Sequence, residues 1–216
     1  MTDKLTTLIQ SIEGILSELY GFLPQISAVD HLVSSEEMRQ DSSLEIDTNL
    51  RGQVLIQHSH HEEATCYIGV CLRDDVIHAI SQPSMINPPL LDAWMVLVEE
   101  ISHFHLILNR VHRKLSTRPI ELEYQAELDK VLVTAQLLES SLGDPYYKSL
   151  LRLSQQGILT SEESHYGTAA SLALRTLGRF DLHNRQALNW QDRQTLRRLY
   201  YTDFDGKMHL MFHIAA

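Results

Sequence analysis

The sequence predicts an α+β fold: mainly a helical bundle, with a small antiparallel β meander in the N-terminal half. Two observations carry this. Apolar residues recur at steps of three and four through most of the chain, most persistently between Leu90 and Lys114. Three short apolar runs between residues 44 and 72 are instead separated by polar turn residues. Pro83, Pro88 and Pro89 stand between the two patterns.

The elements follow in order. Leu5, Leu8, Ile12, Ile15 and Leu19 make one apolar face, so a first helix is expected there, stopped by Gly21 and Pro24. Ser27 to Ser43 has no clear period. Leu44 and Ile46, then Val54 to Ile56, then Thr65 to Leu72 read as the three strands of the meander. Arg73-Asp74-Asp75 opens a short helix.

The next helix has the stripe Leu90, Trp94, Leu97, Ile101, Phe104, Leu108 and Val111. It also has Met95, Val96, Leu106 and Ile107 on its other sides, the mark of a buried helix. Pro119 suits the first position of a partner helix with Tyr124, Leu128, Val131, Ala135 and Leu138 on one face. The short connection makes the two an antiparallel hairpin, centred near Thr117. Three more helices are expected: one after Asp144-Pro145 ending at Gly157, one capped by Thr160 or Ser161 and ending at Gly178, and one from Asn189 to about Tyr201. The tail from Met208 to Ile214 alternates like a strand, and a helix is its alternative. The 216 residues suit one compact domain, with residues 1–82 forming a helix-plus-meander lobe and residues 90–216 a helical lobe.

Charge limits the partners. The net charge of −10 argues against nucleic acid or an anionic membrane held by a general basic surface. Cys66 and Cys71 are five apart in one strand, on opposite faces, so they are expected to be unbonded thiols. That implies a reducing compartment. The start Met1-Thr2-Asp3-Lys4 lacks the basic and apolar regions of a signal peptide, and a cytoplasmic location is expected.

The residues that can carry chemistry lie in the central helix, at Glu99-Glu100-Ile101-Ser102-His103-Phe104-His105. Glu100 and His103 are three apart and share a face. A carboxylate and an imidazole one turn apart can bind a metal ion or exchange a proton. Di-metal carboxylate bundles use this Glu-x-x-His spacing with glutamates from other helices. Glu123 and Glu127 on the partner helix are such glutamates. A second Glu-x-x-His, Glu162 with His165, adds His165 as a further candidate ligand, although a capping box is the stronger account of its acids and needs no metal. The candidate metal set is Glu100, His103, Glu123, Glu127 and His165, for iron, manganese or zinc. Its null counterpart is a local Glu–His pair plus a solvated acidic face formed by Glu121, Glu123, Glu127 and Asp129 near a helix start.

The residues Glu99-Glu100-Ile101-Ser102-His103 also resemble the His-Glu-x-x-His helix of the zincin metallopeptidases. The resemblance implies Glu100 as general base and His103 as zinc ligand, with Glu99 standing where the first histidine ligand would be.

Two smaller clusters have ordinary readings. His58, His60, His61, Glu62 and Glu63 crowd one turn and read as solvated. Arg193, Arg197 and Arg198 read as a basic face paired with the chain's own acid, such as Asp192. The chain has no Gly-rich phosphate loop, no nucleophile elbow and no cysteine-protease signature. The expected function is therefore that of a cytoplasmic interaction or accessory protein, whose helical half binds a protein partner or a second copy of the chain. The alternative is a metal-dependent enzyme, a di-metal carboxylate oxidase or a hydrolase, using the Glu/His cluster with Glu100 as its catalytic residue.

Overall fold

In a computed structural model the chain is described over residues 3–22, 24–34, 47, 49–58, 66–82, 85–142, 164–180 and 188–213. It is a mainly helical α+β fold. Helix α1 spans Asp3–Tyr20 and buries Leu5, Ile9, Ile12, Leu16 and Leu19. It ends at Gly21, whose φ of 73° is left-handed and whose N–H bonds Ser17 O at 2.7 Å. Arg197 donates to Glu18 O and Leu19 O, two carbonyls the helix leaves open. Arg193 pairs with the Glu18 side chain. Arg193 and Arg197 of the basic face thus serve the C-terminus of α1, and Asp192 closes a capping box with Asn189.

A 3-10 turn, Ala28–His31, leads into strand β1, Leu32–Val33. Strands β2, Gly52–His58, and β3, Cys66–Leu72, pair antiparallel as expected, with Gly52 opposite Leu72 and His58 opposite Cys66. The third strand differs from the expected meander. β1 lies on the far side of β3 and runs parallel to it, so the sheet is mixed, in the order β1-β3-β2. Two residues are too few to display a period, which is why β1 left no trace in the sequence pattern. Leu44 and Ile46 lie outside the described residues, as do residues 59–63 of the histidine-rich turn. Val70 and Leu72 join the main core, while Cys71 packs with Leu55 and Val33 in a smaller cluster. Cys71 is a free, buried thiol, and burial pushes its pKa up to about 11. The Cys66 side chain lies outside the description.

Helix α2, Asp74–Ser81, leads to α3, Pro88–His112, whose Asn87 side chain accepts from Leu90 N–H at 2.9 Å. Helix α4, Pro119–Leu142, returns antiparallel to α3. Helices α5, Ser164–Arg179, α6, Trp190–Tyr201, and α7, Phe204–His213, complete the described fold. The tail is therefore helical, not a strand. The helix expected after Asp144 and the caps at Thr160 and Ser161 fall outside the described residues.

α4 is the central rod. It packs against α3, α5 and α1, and nearly every residue from Tyr124 to Leu138 is buried. One apolar core joins residues of α1, β3 and all helices from α2 to α6. The stripe of α3 is rotated from its expected position. Ile101 and Phe104 are fully buried, Trp94 and Leu108 only partly, and Val111 is 61% exposed. The rotation turns Glu100, Ser102, His105 and Arg110 inward. Among the described residues no helix is long and apolar enough to cross a membrane.

Candidate functional site

The α3–α4 interface carries a band of polar residues through the apolar core. On α4, Glu123, Glu127 and Lys130 recur at steps of four and three and so share one face. On α3, Glu99 and His103 are one turn apart and face them. The cross-helix contacts of Ser102 with Asp129, Glu99 with Lys130 and Arg110 with Glu121 centre the hairpin near Leu115, not Thr117. That register brings Glu127 level with His103 and puts Glu123 within reach of its ring.

Glu99, His103 and Glu123 each offer a ligand atom, and these atoms lie within 4.8 Å of one another. His103 Nε2 is 3.9 Å from Glu123 Oε1, and His103 Nδ1 is 3.8 Å from Glu100 Oε2. Both separations are too long for hydrogen bonds. His103 Nε2 and Glu100 Oε2 are buried and have no hydrogen-bond partner among the described residues. Lys130 Nζ donates to Glu127 Oε1 at 2.7 Å and to Glu99 Oε2 at 3.1 Å. The cluster has one open edge, because the Glu99 side chain is 25% exposed and that of Glu123 is 16% exposed.

The strand β2 closes the other side. A Cβ on Gly52 would stand 2.6 Å from Glu100 Cγ. Only a glycine lets the sheet come this close to the carboxyl group. Burial raises the pKa of Glu100. Burial raises that of Glu123 to about 7, with the Glu99 charge adding to the effect. For His103 burial acts downward, but the surrounding Glu100, Glu99 and Glu123 outweigh it and hold the imidazole up at about 9. The same crowd of carboxylates keeps the Lys130 ammonium charged despite burial.

The structure thus brings together Glu100, His103, Glu123 and Glu127 from the sequence-derived set. Helix α5 contains His165, whose side chain lies outside the description. The solvated acidic face is overturned: Glu121, Glu127 and Asp129 are 1%, 4% and 0% exposed. Two members stand outside the metal set expected from the sequence: Lys130, and Glu99, which the zincin resemblance places at the first ligand position. Lys130 continues the Glu123–Glu127 stripe by three residues, a signal that was available. Glu99 is four residues from His103 and differs from Glu100 only in helix rotation, which the sequence does not fix.

No protein-family model, curated protein sequence or solved structure matches the chain. The fold and the site together define a class: a mainly helical α+β protein with a carboxylate–histidine–lysine centre between two antiparallel helices.

Proposed function

We propose that the protein is a metal-dependent hydrolase whose centre binds one divalent transition-metal ion, manganese, iron(II) or zinc, through Glu99, His103 and Glu123. The observation that carries this reading is the buried, unpartnered Nε2 of His103, held 3.9 Å from a Glu123 oxygen. Ligand atoms on one ion at 2.0–2.2 Å stand roughly 3–4 Å apart, near this spacing and too far for a hydrogen bond. Glu100 stands 3.8 Å from Nδ1 and is the carboxylate that would accept its N–H and orient the imidazole once an ion is bound. It is a positioning residue in this reading, and the general base of the zincin resemblance is not needed.

A resident ion would supply Lewis acidity toward water at the open edge beside Glu99. Three protein ligands and an exposed edge suit catalysis better than a closed structural site. The oxidase alternative is the weaker of the two metal readings, because Glu127 is already bound to Lys130. A reducing, cytoplasmic setting goes with this reading, since a free Cys71 needs no oxidant.

The test is elemental analysis of untagged protein, with thermal unfolding followed as manganese or zinc is added. One equivalent of metal and a concentration-dependent rise in Tm are expected, both lost in His103→Ala. Metal-free protein with no response to manganese or zinc would overturn the proposal.

A second reading, binding of a protein partner, draws on a different feature. An open cavity of about 760 Å³ lies between the end of α1, the end of α3 and α6, lined by Phe22, Ile26, Leu108, Val111, Tyr200 and Tyr201. His112 and Arg113 stand at its rim, which suits an apolar segment flanked by acid.

A further inference from the structure

We infer that the Lys130 ammonium is a built-in second cation: it occupies the position a second metal ion would take, and so fixes the centre as mononuclear. The inference rests on the proposed metal-binding role of Glu99, His103 and Glu123, and adds to it what sets the number of ions.

The geometry supplies the argument. Glu99 belongs to two groups at once. One of its oxygens lies within 4.8 Å of ligand atoms on His103 and Glu123. Its Oε2 also accepts from Lys130 Nζ at 3.1 Å. The ammonium is held on its other side by Glu127 Oε1 at 2.7 Å. A carboxylate shared between one cation position and another, with a second carboxylate closing the far side, is the ligand pattern of a two-ion site. Here the far position is filled by a side chain that is only 9% exposed. The ammonium has the charge and the oxygen partners of an ion but cannot leave.

The electrostatics agree. Glu99, Glu100, Glu123 and Glu127 place four carboxyl groups in one buried band, and among the described residues only Lys130 and His103 face them with positive charge. With one divalent ion on a neutral His103 and one fixed ammonium, three positive charges face the four carboxyl groups, where the ion alone would bring two. Removing the ammonium leaves Glu127 Oε1 and Glu99 Oε2 as an empty oxygen site. Hard divalent ions such as manganese favour such a site.

The experiment compares the wild-type chain with Lys130→Ala and Lys130→Gln. The glutamine variant keeps most of the stem and offers an amide oxygen as a ligand, so it serves if the alanine variant fails to fold. Each protein is titrated with manganese(II), bound metal is counted after gel filtration, and spin coupling is read by electron paramagnetic resonance. One equivalent with an isolated-ion signal is expected for wild type. Two equivalents with an exchange-coupled signal, from a pair sharing Glu99, are expected for a folded variant. If wild type binds one ion and the folded variants bind one or none, Lys130 is not the second cation, and this inference is overturned while the metal centre stands. If wild type binds no ion, the metal centre itself is overturned.

Discussion

Two buried polar clusters share the α3–α4 interface and treat their polar atoms in opposite ways. Around Asp129 both carboxylate oxygens are supplied with donors, although Gln125 Oε1 in the same cluster has no partner among the described residues. Tyr20 and Ser102 donate their hydroxyl hydrogens to it, Ser102 at 2.6 Å, and Gln125 donates at 3.2 Å to each oxygen. Around His103 the spacings are 3.8 and 3.9 Å, and the buried Nε2 and Glu100 Oε2 go without hydrogen-bond partners among the described residues. Burying a polar atom without a hydrogen bond costs roughly 1–3 kcal/mol. A fold that saturates one buried carboxylate and leaves its neighbour open has an interior whose polar groups do two different jobs. The first locks three elements together; the second keeps ligand atoms free. The same contrast separates Glu13, which accepts from Ala28 N–H, Ser27 and His105 at 2.7–3.0 Å, from Glu123.

Breaking the Asp129 cluster is expected to have the largest effect. Asp129→Ala removes the acceptor for Tyr20, Ser102 and Gln125 at a position with no exposure. Several stranded donors at about 1–3 kcal/mol each predict a loss of about 3 kcal/mol or more in urea unfolding. A loss under about 1 kcal/mol would show that the cluster is wet or slack, and the contrast with His103 would fail.

The pH dependence sharpens the same contrast. Burial raises the pKa of Asp129 to about 6 from an ordinary 3.8, against the pull of its three donors. The folded state therefore holds this proton more tightly than the unfolded chain does. Its contribution to stability is fully present below pH 3.8 and is lost as pH rises through 6. A shift of about two units corresponds to roughly 3 kcal/mol. Asp129→Asn cannot titrate there, so its stability relative to wild type should rise by that order between pH 4 and pH 7. Urea midpoints at the two pH values measure it. A difference that stays flat with pH would mean that Asp129 titrates as an ordinary carboxylate.

A third substitution separates the sheet from the centre. Gly52→Ala places a methyl group against the Glu100 side chain, and overpacking of this kind costs about 1–3 kcal/mol. It should also weaken metal binding, because Glu100 and the His103 ring behind it must shift. A destabilised variant with unchanged metal affinity would show that Glu100 does not orient His103.

Much of this could be read from the sequence, and the failures have physical causes. The hairpin of α3 and α4, the apolar face of α4, the β2–β3 pair and the Asn189 helix start all follow from period and capping. Glu100, His103, Glu123 and Glu127 were singled out by spacing alone. The third strand escaped because Leu32–Val33 is too short for any period. Asp129 and Glu121 were read as solvated because a carboxylate near a helix start usually is. Their partners are Tyr20 on α1, and Arg110 on α3 with Lys207 on α7, 11 to 109 positions away in the chain. Only tertiary packing supplies them. The choice between Glu99 and Glu100 turned on a rotation of α3 that an apolar surface on every side leaves undetermined.

The smallest expected loss of stability bears most directly on function. Glu123→Gln keeps the size of the side chain and removes one charge from a crowd of carboxylates. No hydrogen bond to His103 is lost, since the two side chains stand 3.9 Å apart. Burial has already raised the Glu123 pKa to about 7, so much of the charge is absent near neutrality. In metal-free protein the substitution should therefore cost no stability near neutrality; by the linkage argued for Asp129, the neutral amide is at least as stable there as a carboxyl group whose folded pKa is raised. With manganese present the two proteins should part. Wild type gains about 2.7 kcal/mol when free metal reaches a hundred times its Kd, and the variant should gain little because it has lost a ligand. Paired thermal melts, with metal and with chelator, measure both effects. A large loss in the chelated protein would make Glu123 as structural as Asp129. The open cluster would then be an unfinished part of the core rather than a place held ready for an ion.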